Sequence, residues 1–395
     1  MAVKKIKRYF SSAVWWSVIS AAFIGPGTVT TAAKAGSDFG LSLFWTIAFA
    51  ILACFVLQEA VARLSFHSKM SLGENISLIF KYPFVKYLIG CSVIVGCMAF
   101  EAGNILGSIE GLKMMGLNTK FLSIIGIGLI SFLVLSSGGI KRMTFFLGLF
   151  VAIMGISFLI VAFSLLLNHP TSLFGIFKPK IPSGSGLIIV GLLGTTIVPY
   201  NLFLGSGISN NQSINEMRWG MSISIFCGGL ITAAILVTGS FISSPFQFEM
   251  LYLTIQRSSG SFSAILVGFG LFCAGISSAI TAPLAAAFTA KSIFSKDQKN
   301  WAFNSRNFRT VWMFVLGIGV LFSLFDFQPI SIIVSAQLLN GFILPLIAFT
   351  IIAAINSKKC IGENSNTLFQ NILSIIVLTV CLLLSLKTFI SIFNS

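Results

Sequence analysis

Apolar residues run almost unbroken for about 20 positions at a time along this chain, the length a helix needs to cross hydrocarbon. Polar residues gather in short gaps between the runs. A membrane barrel would instead alternate apolar and polar positions over about ten residues, and no such alternation is present. The runs predict eleven spans, at 12–34, 40–66, 86–112, 120–138, 143–167, 185–209, 219–243, 262–293, 310–326, 329–355 and 368–393. Breakers such as His169-Pro170, Lys178-Pro179, Ile181-Pro182-Ser183-Gly184 and Ser244-Pro245 punctuate the connectors.

Two runs are interrupted in their middles. The first reads Ala22-Phe23-Ile24-Gly25-Pro26-Gly27-Thr28, and the sixth reads Gly194-Thr195-Thr196-Ile197-Val198-Pro199-Tyr200-Asn201. Proline lacks an N–H and blocks the carbonyl one turn earlier, so carbonyls near residues 22 and 195 lose their helical donors. In lipid such a carbonyl costs several kcal/mol unless it lines a wet cavity or meets a cation. A single proline kink needs no site, but two breaks five spans apart point to one. Five is odd, so the second group runs in the opposite sense. The pattern is two inverted repeats with discontinuous first members and a site between them at the midplane. The chain divides into a basic tail (1–11), a first five-helix repeat (12–170), a second, inverted one (185–355), and a connector with an eleventh helix (356–395).

Composition changes this picture little. The 395 residues are 56% hydrophobic and 9% charged, against roughly a quarter charged in soluble domains. Lipid must cover such a chain, and the class is an all-α integral membrane protein. The net charge of +15 does not mark a nucleic-acid partner, because the basic residues sit between spans. Of the 25 Lys and Arg, eighteen fall on the side of the N-terminus and seven on the other. The positive-inside rule then puts the N-terminus in the cytoplasm and the C-terminus outside a cell or inner membrane. The basic start resembles a signal peptide, but Trp15, Trp16 and the lack of a small-x-small site favour a retained first span. The seven Cys are scattered, mostly inside apolar runs, and read as small buried hydrophobes. No Ser/His/Asp set, P-loop or metal-ligand spacing suggests an enzyme or a permanently bound cofactor. Oligomeric state is left open, and a monomer is compatible with the sequence.

Polar residues at membrane depth are functional candidates. Glu101 and Asn104 lie one turn apart in the third span, and Gln337 and Asn340 share that spacing in the tenth. Glu59 precedes Arg63 by four residues and reads as a structural pair. Glu110 and Lys113 are near the end of their span, and Asp326 is loop. Glu101 is the acidic group placed deep with no partner nearby in sequence. Its two readings are a transport residue, or an acid neutralised within the fold.

At these residues the chain resembles the Nramp family of divalent-metal transporters. The segments carrying the likeness are IGPGTVTTAAKAGSDFG and LQEAVARL, FEAGNILGS, GLLGTTIVPYNLFL, AGISSAITAPLAAAFTAKSIF and SAQLLNGFILP, in this order. The resemblance implies a LeuT-type fold of inverted five-helix repeats. It also implies a metal site at Gly25, Thr28, Thr195, Val198 and Gln337, with Glu101 nearby and Pro26, Asn104, Pro199, Tyr200 and Asn340 in supporting or gating places. The departures matter more. Where the family has Asp-Pro-Gly-Asn, this chain has Gly25-Pro26-Gly27-Thr28. Where the family offers a methionine sulfur and a histidine, this chain has Val198 and Tyr200. The family's second histidine of the sixth span is Gly205, and one of its two acids in the third span is Asn104.

A thioether suits soft transition metals, whereas Val198 and Gly25 leave only neutral oxygens. Magnesium is usually held with several of its waters. The breaks look like those of the Nramp-related magnesium-transporter branch. That likeness implies Mg2+ as the transported substrate, with Mn2+ as a second ion, held by Thr28, Thr195, Gln337 and Glu101. With the histidines gone, a proton relay lacks its parts, and the membrane potential would drive a divalent ion at about 4.6 kcal/mol per 100 mV. Three alternatives stay open: a carrier of a small amino acid or anion bound at the helix end near Gly25, a proton-coupled transition-metal transporter with an altered site, and a non-transporting receptor.

Overall fold

The computed structural model describes residues 12, 16, 24–80, 82–137, 140–169, 180–208, 213–295 and 299–393. Among these residues there are helices and no strands. The chain runs through α1 (Pro26–Phe39), a 3-10 turn (Gly40–Leu43), α2 (Phe44–Ser68), α3 (Leu72–Ile79), α4 (Pro83–Met114), α5 (Lys120–Ser137) and α6 (Ile140–Asn168). It continues through α7 (Gly186–Thr196), α8 (Pro199–Ile208), α9 (Ile214–Gly239), α10 (Phe248–Phe294), α11 (Arg306–Leu324), α12 (Pro329–Ile355), α13 (Lys358–Ile361) and α14 (Leu368–Phe393). Four of these helices begin on proline, whose fixed φ and missing N–H suit the first helical position.

Ten stretches among the described residues are long and apolar enough to cross a membrane, the first of them joining α1 and α2. They follow the expected spans closely. The part of the first span before Ile24 lies outside the described residues, apart from Ser12 and Trp16, as does the carbonyl of residue 22. Two features were not expected. A short helix, α3, begins on a capping box in which Ser71 N–H donates to Glu74 Oε2 at 2.7 Å and Ser71 Oγ accepts from Glu74 N–H. The eighth span gains a helical forearm, Phe248 to Ser259, set off by Gly260 at φ 86°. The ninth span ends at Leu324, so Asp326 is outside it, where it pairs with Lys120 at 2.7 Å.

Small residues let the central helices approach closely, the usual basis of helix packing in membranes. On α1, a side chain at Gly36 would overlap the Leu236 carbonyl of α9, and one at Gly239 would overlap the Ala33 carbonyl. Among the described residues the ion pairs join Lys34 to Asp38, Glu59 to Arg63 and Arg218, Lys113 to Glu110 and Lys120 to Asp326. Glu59 accepts from Arg63 Nε at 3.1 Å, as the i,i+4 spacing predicts, and from Arg218 Nη2 of α9 at 2.7 Å, which the spacing did not predict. Lys113 donates to Glu110 at 2.8 Å.

Candidate substrate site at the two helix breaks

The first break ends where Gly25, extended at φ −121° and ψ −172°, hands over to α1 at Pro26. Its carbonyl accepts the first helical bond, from Val29 N–H at 3.1 Å. In the second break, α7 ends at Thr196 with Ile197 N–H donating to Leu193 O at 2.8 Å, and α8 restarts at Pro199. Pro199 has no N–H to return to the Thr195 carbonyl. At the second break the helix therefore stops for the reason legible in the sequence, and at the first a new helix starts on Pro26.

Tertiary packing brings the breaks together. Thr28 Oγ1 and Thr195 Oγ1 lie 2.8 Å apart and share a hydrogen bond across 167 residues of sequence. Gln337 of α12 lies against both breaks. A Cβ on Gly27 would overlap the Gln337 side-chain amide, and one on Gly194 would overlap the Gln337 backbone carbonyl. Gln337 Oε1 is buried with no hydrogen-bond partner. Val198 and Tyr200 are each 1% exposed, and Tyr200 meets Phe100 of α4 edge-on at 5.7 Å. Asn340 turns back to the Ala336 carbonyl at 3.2 Å and faces Gly96 of α4.

The two breaks close on each other through the Thr28 and Thr195 hydroxyls, and Gly27 and Gly194, lacking side chains, let Gln337 of α12 lie against both. Glu101 is not drawn into the Thr28–Thr195–Gln337 group. On α4, Phe100 and Gly107 face α8 and Pro26, whereas Glu101, one residue and about 100° further round, packs its Cγ where a Gly319 side chain of α11 would stand. It is fully buried, and neither of its carboxylate oxygens has a hydrogen-bond partner, nor does Asn104 Nδ2.

The sequence reading missed Ser278 of α10. Its Oγ is buried without a partner and lies 3.0 Å from where a Gly25 side chain would start. The signal was present in AGISSAITAP, where Pro283 frees the Ala279 carbonyl one turn before it. Among the described residues no three His, Cys, Asp or Glu side chains converge. The oxygens grouped at the breaks are therefore hydroxyl, amide and backbone carbonyl.

The profile described as "Natural resistance-associated macrophage protein-like" matches residues 17–391. A Natural resistance-associated macrophage protein 2 homolog of Dictyostelium discoideum is 25% identical over the whole chain, which spans 65% of that relative's length. A divalent metal cation transporter MntH of Klebsiella pneumoniae is 24% identical, with 93% of this chain and 90% of the relative covered. Among solved structures, a manganese transporter mutant of Eremococcus coleocola superposes with a TM-score of 0.77 at 18% identity, covering 96% of this chain and 86% of that one. MhsT in complex with L-phenylalanine superposes at 0.67 with 14% identity, covering 96% and 98%. These likenesses give the fold, which is the LeuT type. The profile match, running over nearly the full length, places the chain in the Nramp family.

Proposed function

We propose that this protein carries divalent cations across the membrane, and that its ion is Mg2+ with part of its water shell, Mn2+ being a second ion. The observation that carries this reading is the Thr28–Thr195 hydroxyl pair beside the unpartnered Gln337 amide oxygen. Three neutral oxygens, with no carboxylate or thioether among them, suit a hard cation that gives up its water reluctantly. The names of the relatives favour a divalent ion, and the substitutions at 25, 28 and 198 favour magnesium. With Thr28 and Thr195 in direct contact, an ion enters only when α1 and α7 part, so the present state is the closed one of the transport cycle. The reading includes the two repeats at 12–170 and 185–355 and a cytoplasmic N-terminus. It also includes passage without obligatory proton coupling.

The test is flux into proteoliposomes loaded with a Mg2+-sensitive dye. Mg2+ flux is expected, and imposing a pH gradient should leave its rate unchanged. Thr28→Ala and Thr195→Ala should each slow it about tenfold, the size of one lost contact to a charged ligand. Glu101→Gln, which keeps the shape of the side chain, should slow flux if the carboxyl group takes part in passage. An unchanged rate would assign Glu101 to packing against Gly319. Folded protein that passes no Mg2+ sinks the proposal, and flux that needs a proton gradient removes its uncoupled part.

One observation favours a second reading. α1 begins at Pro26, capped by Gly25 without a side-chain hydrogen bond, and a helix N-terminus there attracts carboxylates. Thermal-shift screening of amino acids and small anions against Mg2+ separates the two, since only a bound ligand raises the melting temperature.

A further inference from the structure

Away from the breaks, a cavity of about 340 Å³ opens between α2, α9 and α14. Small-molecule sites begin at about 300 Å³. Phe55 and Val56 of α2 and Phe369 and Leu373 of α14 form its walls, and Glu59, Arg63, Arg218 and Gln370 form its polar end. Two guanidinium groups face one carboxylate, leaving a net positive charge.

The donors are unequally committed. Arg63 gives Nε and Nη2 to Glu59, Nη1 to the Asn364 carbonyl at 3.1 Å, and Nη2 also to Asn366 Oδ1. Arg218 gives Nε and Nη2 to Glu59 Oε1 at 3.0 and 2.7 Å, and among the described residues no group engages its Nη1. Its side chain is 43% exposed. Gln370 uses Oε1 to accept from Thr367 N–H at 2.9 Å, which leaves its NH2 as a donor. Gln370 stands in the first turn of α14, whose dipole adds positive potential there. The walls belong to membrane-spanning helices, and Phe369 is 68% exposed on the outer surface.

We propose that this cavity binds the phosphate headgroup of an anionic phospholipid, with Arg218 Nη1 and the Gln370 amide as donors and the acyl chains lying along Phe369 and Leu373. Arginine matches phosphate geometry, and basic pockets between spanning helices are a known setting for anionic headgroups. The apolar walls suit an amphiphile rather than a soluble anion. The site lies apart from the helix breaks, so this inference stands independently of the transported ion.

The full chain is purified in detergent and followed by native mass spectrometry and thermal melting with phosphatidylglycerol, phosphatidylcholine or inorganic phosphate. Phosphatidylglycerol should stay bound and raise the melting temperature, with the other two well behind. Arg218→Gln should weaken phosphatidylglycerol binding about tenfold, as expected for one charge-assisted hydrogen bond. Gln370→Trp, which plugs the mouth and leaves both guanidinium groups in place, should do the same. Equal retention of the two lipids overturns the proposal. A matching shift from inorganic phosphate, or unchanged affinity in either variant, does so as well.

Discussion

Replacing Gly194 by valine is expected to abolish cation flux and to lower the stability of the folded protein sharply. A Cβ at this position would fall on the Gln337 carbonyl oxygen of α12 and within 2.5 Å of the Gly341 amide nitrogen. Both are backbone atoms, so no rotamer change relieves the overlap. Overpacking a tight contact costs about 1–3 kcal/mol, and two branched methyls against backbone put valine at the upper end. Moving α7 away from α12 would also draw Thr195 off Thr28 and Gln337, which dismantles the site. Thermal melting in detergent and flux in proteoliposomes check both effects. Gly317→Ala is the control, because nothing lies within 4 Å of its Cβ position. It should melt at or slightly above the parent protein, since alanine is the better helix former. Normal flux through Gly194→Val would show that the break tolerates widening.

Glu59→Ala should be at least as damaging to stability, for an electrostatic reason. Glu59 balances Arg63, whose side chain is only 7% exposed, and Arg218, whose side chain is 43% exposed. Removing the carboxylate strands Arg63, and breaking a buried pair from one side costs about 3–5 kcal/mol. Arg218 can turn to solvent, so Arg218→Gln should cost below about 1 kcal/mol. The double variant Glu59→Leu, Arg63→Met should recover part of the loss. Recovery stays incomplete because Arg63 also ties down Asn364 and Asn366 ahead of α14. Melting temperatures of the three variants test this ordering. If Glu59→Ala melts with the parent protein, the network is ornamental to stability.

Much of the architecture was legible in the chain because the bilayer allows so few solutions. Unbroken apolar runs must be helices in lipid, and the prolines at 26 and 199 mark where new helices start. The capping box of α3 was also written in sequence, as Ser71-Leu72-Gly73-Glu74, but its helix is too short to span and did not register against the long runs. The forearm of α10 was hidden for a related reason. Gly260 breaks the apolar pattern, yet the segment before it still folds as helix once it packs through Leu251 and Ile255, both fully buried.

The site was legible in identity but not in shape. Pattern placed Thr28, Thr195 and Gln337 on the first, sixth and tenth spans, and the Nramp likeness grouped them. That Thr28 and Thr195 touch, that Ser278 packs against Gly25, and that Glu101 faces α11 all follow from how the helices rotate about their axes. Rotation is set by which small residues meet which backbones across the membrane, and no local periodicity records it. Arg218 carries the same lesson: its partner Glu59 lies 159 residues away, so only packing of α9 on α2 made the pair.

The sequence alone determined that the chain spans a membrane as helices, where two of them break, and which side chains stand at the breaks, since these follow from hydropathy and proline chemistry within single segments. Only the tertiary structure decided that the breaks close on each other through two hydroxyls, because that contact depends on glycine-permitted approach between helices far apart in the chain.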